Sequence, residues 1–282
     1  VAFSFGRVLE DNFRLTMKLY LPAVALSVFL SAVSLLITTV FGRDIFDQVF
    51  MRGVHRGFIY SILFNWKLWL VLVAYLLSST ATSAFSIHFS GLIAVAEVRC
   101  VPIRIGTALS EAPKDLPQIY PRVLKFNLLV MVMTTPGVLL FMISVGLIPY
   151  VSFIFPLFGA LFGPVLAAIG YFAVVCLYYP FFGVMAAERR FNPDVFDQAA
   201  ELTEGSRWKI FGLLMAVYIA AGVLVLLVSL VTTVTGLSRV TPYATSFVQA
   251  LCTPYLMFLP TSLYLALNKV KLTSSDVAKV FA

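Results

Sequence analysis

The chain is 282 residues long, 61% hydrophobic and only 12% charged, with a net charge of +7. Soluble domains carry about 25% charged residues, so this composition excludes an ordinary water-soluble domain and points to apolar surface that faces lipid. In so apolar a chain the basic excess reads as lysine and arginine flanking membrane spans on the cytoplasmic side, and no nucleic-acid partner is expected.

Residues 1–18 place Phe5, Val8, Leu9 and Phe13 at helical spacing, with Arg7, Glu10, Asp11 and Arg14 elsewhere on the wheel. This spacing predicts a short helix lying at the membrane surface. A first span is predicted over residues 19–41. It is longer than a signal-peptide core and has no convincing small-residue cleavage site, so it is expected to stay as a span. Residues 42–64 mix charged and apolar positions and read as an outer loop. Trp66, Lys67 and Trp69 then form an interface anchor. The second span, residues 68–96, would reach about 43 Å as a helix, against a hydrocarbon thickness of about 30 Å. It must tilt, bend near Gly91 or project into the cytoplasm. Its middle, Ser78 to Ser86, is rich in small hydroxyl residues, which let helices approach closely and hydrogen-bond across the contact.

A second cytoplasmic interval runs from Glu97 to Lys125. Ile105, Ala108, Leu109 and Ala112 give helical spacing, and Pro113, Pro117 and Pro121 are expected to interrupt it. The third span is predicted over residues 126–148, a tight apolar outer turn over 149–160, and the fourth span over 161–186. The third cytoplasmic interval, Ala187 to Lys209, is the most polar stretch of the chain. The fifth span follows over residues 210–234, a short outer loop over 235–245, and the sixth span over 246–267. A tail with Lys269, Lys271 and Lys279 completes the chain. The segments so placed inside hold 15 of the 20 basic residues. That asymmetry predicts both termini in the cytoplasm and a location in the inner, cytoplasmic membrane. The expected fold is all-α: one membrane domain of six transmembrane helices with short interfacial helices on the cytoplasmic face.

An internal repeat is also expected. Glu97, Arg99 and Pro102 form an E-x-R-x-x-P pattern at the inner end of the second span, and Glu188, Arg190 and Pro193 repeat it after the fourth. Ala108 and Ala199 lie six positions past the two prolines. Three units, each a surface helix, a span out and a span back, account for the chain. Glu and Arg at i, i+2 do not face each other on one helix. Cross-pairing between units, Glu97 with Arg190 or Glu188 with Arg99, is one reading; snorkelling to headgroups is the other.

The stretch from Ala199 to Leu213 carries Leu202, Thr203, Gly205, Arg207, Trp208, Ile210, Phe211 and Gly212. This pattern resembles the membrane domain found beside some glycerophosphoryl diester phosphodiesterases and in related stand-alone bacterial six-span membrane proteins of unknown function. The resemblance implies six spans and no catalytic domain, because the paired histidines and metal-binding carboxylates of the phosphodiesterase are missing here. The residues carry a physical reading of their own. Gly205 permits the positive φ that ends a surface helix. Arg207, Trp208 and Lys209 form an interface belt, with cations toward lipid phosphate and an indole at headgroup level.

No nucleophile motif, phosphate loop or CxxC pair is present, and Cys100, Cys176 and Cys252 read as free thiols. No catalytic residue, metal or cofactor is therefore expected. The intramembrane polar position is His88, beside Ser86 and Ser90, and it is a candidate for bonding a neighbouring helix or for contacting a ligand or proton. The function expected is non-catalytic: a scaffold, regulator or accessory subunit that contacts membrane lipids and either a partner membrane protein or a second copy of the chain. The alternative is a transporter or lipid-handling protein with a site between repeats.

Overall fold

The computed structural model describes residues 5–37, 66–98, 105–147, 154–189, 191–236 and 241–268. Among the described residues there are nine helices and no strand. They are α1 (Phe5–Lys18), α2 (Tyr20–Ile37), α3 (Trp66–Val98), α4 (Ile105–Leu147), α5 (Ile154–Tyr178), α6 (Phe181–Glu188), α7 (Val195–Thr203), α8 (Arg207–Val234) and α9 (Thr241–Leu267). Five stretches are long and apolar enough to cross a membrane: Leu76–Glu97, Ile105–Ser144, Leu157–Glu188, Arg207–Val234 and Ala244–Leu267. A shorter apolar helix, Tyr20–Phe29, lies within the first expected span. The protein is thus a helical membrane bundle. The end of that first span, the outer loop over 42–64 and the lysines of the tail lie outside the described residues.

Three expectations about the elements are corrected. Pro113, Pro117 and Pro121 do not interrupt the second surface helix, because α4 runs unbroken from Ile105 to Leu147. The three prolines are four residues apart and all are exposed. Their missing N–H bonds fall on one strip of the helix, where water can satisfy the carbonyls left over. The outer turn expected over 149–160 is shorter, since α5 already begins at Ile154. Pro156 then sits in the first helical turn, where an absent N–H costs nothing. The fourth span is not one straight helix. It breaks at Tyr179 and Pro180 and resumes as α6.

The chain divides into two compact units. The first comprises Val1–Ser31, Thr82–Arg122 and Cys176–Ala282. Here α9 touches α1, α6, α7 and α8. The short helix α6 is buried from Phe181 through Ala187, which suits a sequence with no charge before Glu188. Two glycines permit that burial. A Cβ on Gly91 of α3 would lie 2.6 Å from the Ala186 Cβ, and one on Gly183 of α6 would collide with Tyr264. Glycine at these positions lets the neighbouring helix approach closely. Phe89, Leu92 and Ile93 of α3 pack on Ala108 and Ala112 of α4, and Leu15, Ala23, Ala94 and Phe258 form a second cluster. The amphipathic start of α4 therefore buries its alanines and leaves Ile105 and Leu109 exposed.

The second unit comprises Ala32–Ala81 and Val123–Val175. Within it α4 and α5 meet along glycines. A Cβ on Gly163 would lie 2.7 Å from the Phe141 amide nitrogen and 2.8 Å from the Gly137 carbonyl oxygen. Gly159 is pressed against Ser144 and Gly170 against Met133 in the same way. A polar bond joins α4 to α3 here: Asn127 Nδ2 donates to Thr80 Oγ1 at 2.9 Å.

Candidate functional site

The polar chemistry of the first unit gathers where α6 ends. Glu188, its last residue, accepts from Tyr264 Oη at 2.8 Å and from Gln198 Nε2 of α7 at 3.2 and 3.3 Å. Asn268 Nδ2 in turn donates to Tyr264 Oη at 2.6 Å. The next residue, Arg189, turns the chain sharply with φ 48° and ψ 34°. It is the one non-glycine residue with positive φ among the described residues. A bulky residue in the left-handed region is strained and persists only where its surroundings hold it.

This turn aims the following segment at α4. Arg122 Nε donates to the Phe191 carbonyl at 3.1 Å. The Phe191 ring meets His88 edge to face, with centroids 6.1 Å apart. His88 Nε2 lies 3.0 Å from Asp115 Oδ2, and the imidazole side chain is 2% exposed. A carboxylate can only accept here, so Nε2 donates. Nδ1 is buried and has no partner among the described residues.

Asp115 sits on the charged first part of α4. Forty-three residues of α-helix span about 64 Å, twice the hydrocarbon thickness of about 30 Å. Glu111, Lys114, Asp115, Arg122 and Lys125 place residues 105–125 outside the hydrocarbon. The hydrogen bond from His88 holds the Asp115 carboxyl below its ordinary value. Burial opposes this shift, and the charges of His88, Arg189 and Lys114 reinforce it.

Between α4 and the turn lies an open cleft of about 440 Å³, lined by Pro117, Gln118, Pro121 and Arg122 on one side and by Arg189, Phe191 and Asn192 on the other. Among the described residues no carboxylate lines it. Arg189 Nη2 lies 3.7 Å from Oε2 of Glu111, whose Oε1 accepts from Lys114 at 2.7 Å, and the Arg189 charge also acts on Asp115. Arg189 Nε is buried with no acceptor among the described residues. Beyond its bond to Phe191, the Arg122 guanidinium has no partner among the described residues. The chemistry offered is recognition of an anion: two planar cations from different elements, with amides at the edge.

The residues singled out in the sequence are distributed differently. Glu97 pairs with Lys18 of α1, on an exposed edge. Arg99 and Arg190 lie outside the described residues, and with them both cross-pairings, Glu97 with Arg190 and Glu188 with Arg99. Arg207, Trp208 and Lys209 are exposed at the foot of α8, away from the cleft lining. Gly205 has φ 73°, as its place after α7 requires. His88 does bond a neighbouring helix, through Asp115. Ser86 and Ser90 do not join it. Ser86 returns its hydroxyl to the Ser83 carbonyl, and Ser90 donates to Ile87 and Met257 carbonyls.

Sequence reasoning did not single out Asp115, Arg122 or Arg189 as a group. Asp115 and Arg122 lie seven residues apart on α4, but Arg189 belongs to a distant stretch of chain, so no local spacing joins all three. The signal that was legible is weaker: Pro117 and Pro121 strip N–H groups from one face of α4, and Arg122 follows directly. Among the described residues no group of His, Cys, Asp and Glu could hold a metal ion. Cys176 and Cys252 are free thiols, and Cys100 lies outside the described residues. No family model, curated protein or solved structure matches the chain.

Proposed function

We propose that the protein is a non-catalytic subunit of the inner membrane, a scaffold or regulator that contacts lipid headgroups at its cytoplasmic face and docks a partner through its bare helices. The observation that carries this reading is the foot of α8. Trp208 is 83% exposed between two exposed cations, at the start of a span of which only 6% is buried within the chain. An indole between cations belongs at headgroup level. An apolar helix this bare leaves its sides to lipid or to another protein. Three like hairpins remain part of the proposal, supported by Ala108 and Ala199, both fully buried at matching distances from their prolines.

A second reading, lipid handling, is favoured by one feature. An apolar groove of about 330 Å³ is lined by Leu9, Ala216, Ala220, Leu224 and Tyr255 among others, beside α8 and α9. Its walls suit an acyl chain.

Purification in native lipid nanodiscs followed by mass spectrometry separates the two readings. A second protein at fixed stoichiometry is the expected result. A solitary chain that moves lipid between the leaflets of reconstituted vesicles contradicts the accessory role and favours the second reading.

A further inference from the structure

We infer that the cleft between α4 and the Arg189 turn is a binding site for the phosphate group of an organic phosphate, gripped by Arg122 and Arg189. This rests on the preceding reading only for the expected source, the headgroups of the inner leaflet. The chemistry itself follows from the cleft.

Four observations converge on an anion. Among the described residues the cleft is lined by two guanidinium groups and no carboxylate. Arg122 is fixed by the bond from its Nε to the Phe191 carbonyl, which leaves the terminal nitrogens of its fork without a partner among the described residues. Among the described residues Arg189 keeps a buried Nε with no acceptor, and its ion-pair partner, Glu111, is 3.7 Å away and also bound to Lys114. The strained backbone of Arg189 holds this side chain opposite α4. A buried donor without an acceptor is costly, and an anionic oxygen supplies one.

The geometry also selects among anions. A guanidinium fork matches two oxygens of one phosphate or carboxylate. Two forks from opposite walls need an anion with oxygens on several sides, which a tetrahedral phosphate has and a planar carboxylate lacks. The volume of about 440 Å³ exceeds what a bare phosphate fills. The rings of Pro117 and Pro121 give the remaining space an apolar wall without N–H groups, suited to the carbon skeleton of a phosphate ester. Gln118 and Asn192 stand at the edge, where amides can bond hydroxyl groups.

The test uses the full chain in a phosphate-free maltoside detergent, with two arms. In the lipid arm, native mass spectrometry compares retention of phosphatidic acid with that of diacylglycerol, which differs only by the phosphate. In the soluble arm, glycerol 3-phosphate is titrated against sodium chloride of equal ionic strength and binding is read by calorimetry. Each is repeated on Arg122→Gln, Arg189→Gln and Asn192→Asp, with Arg14→Gln on α1 as the control. Asn192→Asp removes no described bond and places a like charge in the cleft, so it keeps the test decisive if an arginine variant fails to fold.

Binding in either arm that weakens at least about tenfold in the cleft variants and persists in Arg14→Gln supports the site. Retention of the lipid alone identifies a headgroup, and binding of glycerol 3-phosphate identifies a soluble phosphate ester. No preference over the controls in either arm overturns the inference, as does binding that Asn192→Asp leaves unchanged. The accessory role fails separately, on the absence of a stoichiometric partner, and neither arm depends on that result.

Discussion

His88 and Asp115 illustrate how one bond can fix the meeting of two helices. The imidazole is almost wholly buried, so removing its acceptor leaves a buried donor unpaired, at a cost of about 1–3 kcal/mol. The bond from His88 also keeps the Asp115 carboxyl charged to lower pH than an unfolded chain would. Its stabilisation is therefore complete above the ordinary value of 3.8 and is lost as pH falls through the lower, folded value. Asp115→Asn should lower the unfolding temperature at pH 6 to 7, and the gap to the native protein should narrow as pH falls below 3.8. Thermal scans across that range check this; a gap that stays constant with pH would show that the carboxylate's charge is not what matters. The pair also marks the limit of sequence reading at this scale. His88 was legible as a lone ionisable residue in an apolar stretch, in need of a partner. Asp115 was not legible as that partner, because the two are joined only by the packing of α3 on α4.

Helix existence was written in the chain's hydropathy, and helix contacts were written in its glycines. The five long apolar stretches lie where charge spacing placed spans. Their ends moved by several residues wherever proline was read as a stop: Pro113, Pro117 and Pro121 lie inside α4, and Pro156 lies inside the first turn of α5. Gly159 and Gly163 spell the G-x-x-x-G spacing of close helix contact, a signal available in the sequence and confirmed by the packing of α5 on α4. A differential prediction follows from their surroundings. In a helix, Gly→Ala ordinarily gains up to about 1 kcal/mol. At Gly222 of α8 a Cβ would meet nothing within 4 Å, so Gly222→Ala should hold or raise the unfolding temperature. At Gly163 the Cβ would press on the Phe141 and Gly137 backbone, which cannot yield as a side chain tip does. Gly163→Ala should instead destabilise by about 1–3 kcal/mol. Unfolding scans of the two variants in one detergent test the pair, and equal shifts would contradict the close approach of α4 and α5.

At the scale of the whole molecule, the account depends on where the polar segments lie. Residues 105–125 carry Asp115 and one wall of the cleft, Arg189, Phe191 and Asn192 form its other wall, and α7 leads to the Arg207–Lys209 belt. These segments are expected together on the cytoplasmic side, with the link from α8 to α9 on the other. The basic residues imply this arrangement, and the phosphate site has access to inner-leaflet headgroups only if it holds. Cysteine labelling in sealed vesicles of known orientation tests it most directly. In a chain freed of its native cysteines, Lys114→Cys, Glu201→Cys and Thr235→Cys each introduce a thiol at an exposed position. A membrane-impermeant maleimide should reach the first two only from the cytoplasmic side and the third only from the opposite side. Labelling of Lys114→Cys and Glu201→Cys from different sides, or of all three from one side, would contradict the account.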